Sequence, residues 1–301
     1  MPAGASSSRT HQHRAVTGIL LMMVGLALYP LSDALIKHLM ESYAVAQATF
    51  LRSISRLVPL LIAMLFAGGP KVVLGTRQGG RHLVRLAISL VYTYIFMYAY
   101  SKQSLTSVYI LSYTSPLFLI LLGALLLHEK ITRERWIAVG IGAVGILIAI
   151  RPGVIPFDAT CGLVLVGVLL GTLNKIFMRK LAATEHSLAI TIYPNIALVA
   201  ITLPYLIGVW APMPWKDWGW FSLVGILSAA GQYAIAQSLR FAQASLLAPI
   251  DNSTFFWVVF LDFFWWKVLP DPYTLLGVGL IMCSNLFILY YKVRDENKIE
   301  I

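Results

Sequence analysis

The sequence predicts an all-α integral membrane protein of ten transmembrane helices, arranged as two inverted five-helix repeats. Composition is the first reason: 58% of the 301 residues are hydrophobic and 12% charged, too apolar to cover a soluble globule with polar surface. The second is that apolar runs, each near the ~20 residues a membrane helix needs, recur along the chain between short polar turns. The third is an echo at a fixed offset of 139 positions: Ala138-Val139-Gly140 falls on Gly277-Val278-Gly279, Thr106 on Ser245, and the turn at Glu129 on Val268.

Residues 1–14 form a polar tail. The run 15–39 exceeds the roughly 7–15 residues of a signal-peptide core and reads as a retained helix. Further spans are expected at 44–66, 83–101, 105–127 and 134–151, completing a first repeat over 15–151. Those at 160–180, 188–210, 218–239, 244–266 and 272–291 make a second repeat over 160–291, and 292–301 is a second polar tail. An even count puts both termini on one side. With that side cytoplasmic, fifteen Lys and Arg fall inside, among them Arg9, Lys71, Arg85, Lys130 and Arg240, against five outside, namely Lys37, Lys102, Arg151, Lys216 and Lys267. The positive-inside rule therefore fixes the orientation. Five helices per repeat is an odd number, so the second repeat enters the bilayer from the opposite face.

Several function classes fall away. The net charge of +10 lies in turns between apolar runs and not on one face or tail, so nucleic acid is not an expected partner. Cys161 and Cys283 both sit in apolar segments and suggest neither a disulfide framework nor a metal site. Gly140-x-Gly142-x-x-Gly145 fits a dinucleotide fingerprint, but no strand precedes it, and close helix packing is the better reading. Asn252-Ser253-Thr254 fits a glycosylation acceptor within an apolar span, and His128-Glu129 lacks the second histidine of a zinc protease. No nucleophile stands beside a base, so neither an enzyme nor a cofactor is expected.

Ionisable residues inside the membrane are costly and face a cavity or a partner. Arg52 and Arg56 share one face of the second helix, roughly 12 and 18 Å below its outer edge at ~1.5 Å per residue, and Asp33 in the first helix lies within reach of Arg52. They form either a structural ion pair or a site for a substrate anion or proton coupling. Asp251 in the ninth helix follows Pro249, with Asn252 beside it. Its repeat mate Ser112 precedes Pro116 by four residues, and helices broken at matching positions point to a central site. Lys175, beside Asn174, is a candidate partner of Asp251, or else snorkels to the interface. Tyr94 and Tyr98 share a face and could stack on a planar or cationic substrate, or serve packing. Trp265 and Trp266 suit the interface belt. Gln232, Gln237, and Asn195 beside Pro194 are further polar candidates.

The hairpin S-Y-T-S-P-L-F, the charged turn H-E-K-I-T and the following G-I-G-A-V-G-I-L, answered later by A-S-L-L-A-P-I-D-N and L-P-D-P-Y-T-L-L-G, resemble the drug/metabolite transporter (DMT) superfamily and, within it, the bacterial EamA family. The likeness spans roughly residues 16–291. It departs at the second turn, where Val268 stands in the place of Glu129. L-S-D-A-L-I-K at 31–37 and F-L-R at 50–52 resemble the branch of S-adenosylmethionine and riboflavin carriers. The resemblance implies a multi-pass carrier of the bacterial inner membrane with cytoplasmic termini, moving a small polar or zwitterionic metabolite by alternating access. No ATP-binding loop is present, so an ion or substrate gradient would drive it, with protons the favoured ion. The alternatives are an exporter of drugs or aromatic compounds, a channel, or a membrane enzyme. A homodimer is left open.

Overall fold

A computed structural model describes residues 4–76, 78–127, 133–150, 159–182, 185–241, 247, 250 and 253–299. All regular structure among them is helical: α1 (Gly4–Leu39), α2 (Val45–Phe66), a single turn α3 (Pro70–Val73), α4 (Gly79–Lys102), α5 (Leu105–Ser112), α6 (Ser115–Leu127), α7 (Arg133–Ile150), α8 (Ala159–Ala182), α9 (Ser187–Thr202), α10 (Trp215–Phe241), α11 (Thr254–Trp266) and α12 (Pro272–Ile299). A 3₁₀ segment, Leu203–Gly208, extends α9. Among the described residues, seven helices are long and apolar enough to cross a membrane, and shorter apolar helices cover Trp136–Ile150, Thr254–Trp266 and Pro272–Ile288.

The bilayer explains why these segments are helices: with no water to bond the backbone, each span must satisfy its own N–H and C=O groups. Proline marks where that ladder opens. Pro116 has no N–H for the Ser112 carbonyl, and the run 105–127 breaks at Tyr113-Thr114 into α5 and α6. The Thr114 hydroxyl bonds the Leu111 carbonyl at 2.7 Å, and Asn285 of α12 donates to the Tyr113 carbonyl at 3.3 Å. The matching segment around Asp251 lies outside the described residues. At its far end α11 stops on Lys267, the one non-glycine with positive φ among the described residues. Asp271 then caps α12, accepting from the backbone N–H groups of Tyr273 and Thr274.

Helices pair through small residues, because lipid offers no hydrophobic drive to associate and close van der Waals packing takes over. α1 crosses α10 where Gly25 faces Gly231: a Cβ on Gly25 would stand 2.9 Å from the Gly231 carbonyl oxygen. α7 crosses α12 at Gly145 and Gly277, where an added Cβ would meet the opposing carbonyl at 2.8 or 2.5 Å. Gly142 is closed off by Leu117 and Ser284, whereas a Cβ on Gly140 would enter open space. Two of the three glycines in that motif therefore serve packing. α4 lies against α8, and α2 against α9 and α10. The main buried cluster, including Ile36, Leu51, Met97, Leu105, Val108, Phe221 and Val258, ties α1, α2, α4, α5, α10 and α11 at one end of the bundle. Outward faces stay apolar, as with Val58, Leu61, Ile62 and Leu65 on α2. Their exposure suits lipid and not water.

Candidate functional site

A cavity of about 320 Å³ opens between α1, α2, α4, α5, α8, α9 and α10. Helical spacing builds its walls. Tyr29 and Asp33 are one turn apart on α1, Arg52 and Arg56 one turn apart on α2, and Arg85, Ser89, Tyr92, Phe96 and Tyr100 make one stripe along α4. Ile190, Pro194 and Asn195 close the α9 side, with Ser112 from α5, Asn174 from α8 and Gln232 from α10.

Asp33 and Arg52 meet. The guanidinium bonds one carboxylate oxygen of Asp33, and the phenols of Tyr100 and Tyr109 donate to the other at 3.0 and 2.8 Å. Asp33 is 1% exposed, so its carboxylate is buried among these donors. Arg52 also reaches the Met97 sulfur at 3.5 Å. One turn deeper, Arg56 donates from Nε to Ser228 Oγ at 3.0 Å and lies 6.0 Å from the Tyr29 ring centre. Its Nη2 is buried with no hydrogen-bond partner.

Arg85 is the residue that sequence reasoning missed as a site group, having counted it only among the inside charges. The structure sets it six residues into α4, and its Nη1 donates to the Ile190 carbonyl at 2.7 Å. That carbonyl is available because Pro194, four residues on, supplies no N–H. Arg85 Nε, too, is buried without a partner. The available signal was the register of Arg85 with Ser89, Tyr92, Phe96 and Tyr100.

The other candidates separate by position. Ser112 lines the cavity, with its hydroxyl turned to the Val108 carbonyl at 2.8 Å, and so does Gln232. Asn195 lines it while bonding the Thr191 carbonyl, and Asn174 bonds Ser89 at 3.0 Å. Tyr94 and Tyr98 lie off the lining. The Tyr94 hydroxyl pairs with Thr202 at 2.6 Å, and Tyr98 is exposed, so Tyr92 and Tyr100 supply the α4 rings instead. Lys175 is exposed and donates to Ser115 at 3.2 Å, away from the lining. Asp251 and Asn252 lie outside the described residues. Trp266 bonds Glu41 at 2.6 Å and stacks under Lys37.

Side-chain contacts pin both ends of the bundle. At the α1–α2 connection, Gln47 exchanges two 2.9 Å bonds with the backbone of Ala211, and the Tyr43 phenol donates to Asp217. Burial, reinforced by that carboxylate, pushes the Tyr43 phenol up to about 12. At the α2–α4 connection, Thr76 donates to Glu185 at 2.8 Å, His82 stands 3.9 Å from the same carboxylate, and Tyr193 donates to the Leu74 carbonyl at 2.6 Å.

Comparison with known proteins bears on the family and the fold. The model of the EamA-like transporter family matches residues 16–151 and again 159–290. The pseudopaline exporter of Pseudomonas aeruginosa (strain UCBPP-PA14) is 25% identical, covering 89% of this chain and 94% of its own. The riboflavin transporter of Vibrio cholerae serotype O1 is also 25% identical, over 95% and 97%. A solved crystal structure shares the fold at a TM-score of 0.58 and 15% identity, covering 96% of this chain and 99% of that one.

Proposed function

Since the chain belongs to the EamA-like transporter family, matched over both halves, we propose that it is a secondary-active carrier of a small polar or zwitterionic organic metabolite. The observation that carries this is the cavity, a chamber of charged, polar and aromatic side chains walled by residues of both halves and pinned at each end of the bundle. Its ~300 Å³ scale fits a metabolite-sized cargo.

The carrier works by alternating access between two inverted repeats of five helices, 15–151 and 160–291, in a bacterial inner membrane with both termini cytoplasmic. Helix pairing supports the repeat reading. Exchanging the first span with the sixth and the third with the eighth turns the α1–α10 pair into the α8–α4 pair, and it leaves α7–α12 and α2–α9 as self-paired contacts on the axis. A proton gradient is the proposed drive. Asp33 is taken up by Arg52, Tyr100 and Tyr109, and Asp262 by the start of α5, which leaves Asp251 as the coupling candidate.

The test is counterflow. Purified protein in liposomes preloaded with metabolite should take up labelled metabolite with saturation, and Asp251→Asn should remove the pH dependence of net uptake. Non-saturating flux would indicate a channel, and chemical turnover of the cargo a membrane enzyme; either result ends the carrier reading.

A further inference from the structure

Building on the carrier reading, we propose that the cavity selects an organic carboxylate, its oxyanion held between Arg56 and Arg85 and its carbon skeleton against the rings of Tyr29, Tyr92 and Phe96. Charge counting points there. Among the described residues, the lining carries three guanidinium groups, Arg52, Arg56 and Arg85, and one carboxylate, Asp33. Arg52 and Asp33 cancel each other, and two phenols complete the coordination of that carboxylate. Two positive charges remain without a counter-charge on the lining.

Among the described residues, Arg56 and Arg85 meet only neutral acceptors, Ser228 Oγ at 3.0 Å and the Ile190 carbonyl at 2.7 Å. Each keeps one buried guanidinium nitrogen with no hydrogen-bond partner, and Arg85 is only 3% exposed. A buried cation lacking both a counter-ion and a full set of acceptors is costly. A carboxylate supplies both at once, because the guanidinium fork matches its two oxygens. Both guanidiniums line the same cavity, together with Tyr29, Tyr92 and Phe96, and Arg56 lies 6.0 Å from the Tyr29 ring centre.

Among the described residues, nearby acids do not fill this role. Glu185 bonds Thr76 and faces His82 at the end of the bundle, off the lining, and Asp262 caps α5. The rings on the same lining, with Tyr29 next to Arg56, favour an organic skeleton over a bare inorganic oxyanion. A cationic cargo finds no such welcome among the described lining residues, since the one carboxylate already accepts three donors.

The experiment uses the full chain in detergent, with succinate and phenylacetate as probes, their amides succinamide and phenylacetamide as neutral controls, and inorganic phosphate as the other oxyanion source. Binding is read by calorimetry and by shift of the melting temperature. Carboxylates should bind at least tenfold more tightly than their amides. Arg56→Gln and Arg85→Gln should each weaken them at least tenfold without lowering the melting temperature of the ligand-free protein, because each removes an uncompensated buried charge. Arg85→Lys, which keeps the charge and loses the fork, should retain part of the affinity, and it decides the matter should a Gln variant fail to fold. Equal binding of amides, binding of phosphate alone, or variants that bind as the parent does would each overturn the assignment. Counterflow separates it from the carrier reading. Arginine-dependent carboxylate binding with no counterflow defeats the carrier and leaves the anion site, whereas saturable counterflow of a cation indifferent to both arginines defeats the anion site and leaves the carrier.

Discussion

Replacing Asp33 with Asn tests whether the pair with Arg52 holds the first two helices together. Asp33 accepts from three donors, Arg52, Tyr100 and Tyr109, and is 1% exposed, so the three donors are its main compensation. Asn keeps one acceptor oxygen, turns the other position into a donor facing a phenol, and strands the Arg52 charge. Breaking a buried pair from one side costs about 3–5 kcal/mol. The double variant Asp33→Asn/Arg52→Gln removes both charges and should recover most of that loss, giving a coupling energy well above the ~0.3–0.5 kcal/mol scatter of independent sites. Tyr109→Phe, which deletes one donor to a charged acceptor, should cost less, about 1.5–3 kcal/mol. Denaturant titration and thermal unfolding in one detergent measure the parent, these three variants and the Arg52→Gln single variant that closes the cycle. An Asp33→Asn protein within about 0.5 kcal/mol of the parent, or a double variant no better than the single, would refute the reasoning.

Three other predictions follow from separate contacts. Asp262 accepts from the backbone N–H groups of Leu105 and Thr106 at 3.2 and 2.6 Å, so Asp262→Ala should cost about 1–2 kcal/mol through the lost cap, read by the melting temperature. A Cβ on Gly225 would stand 2.4 Å from the Ser55 backbone, so Gly225→Ala should push α10 from α2 and cost about 1–3 kcal/mol, whereas Gly279→Ala, with nothing within 4 Å, should melt like the parent. The Tyr43 phenol has its folded value raised from 10.0 to about 12, so its contribution is whole below pH 10 and fades as pH climbs through 12. Tyr43→Phe should lack that alkaline loss, and an ultraviolet phenolate titration of parent and variant checks it.

The sequence by itself determined where the helices run. Hydropathy sets them because the bilayer forces each span to satisfy its own backbone. The break before Pro116 was legible for the same reason, since a proline leaves an identifiable carbonyl without its donor. Close packing at Gly142 and Gly145 and the reach of Asp33 to Arg52 could also be read, because both depend on short spacings along helices. Tertiary structure decided which stripe of α4 faces the cavity. Tyr92 and Tyr94 are both aromatic on an apolar helix, and only the packing of α4 against α8 and α9 turns Tyr92 inward and Tyr94 toward Thr202. It also decided the role of Arg85, whose partner is a carbonyl 105 residues away that Pro194 leaves open. A pattern within one helix carries its periodicity but not the identity of the helix it meets, and the charge balance of a cavity exists only once several helices have met.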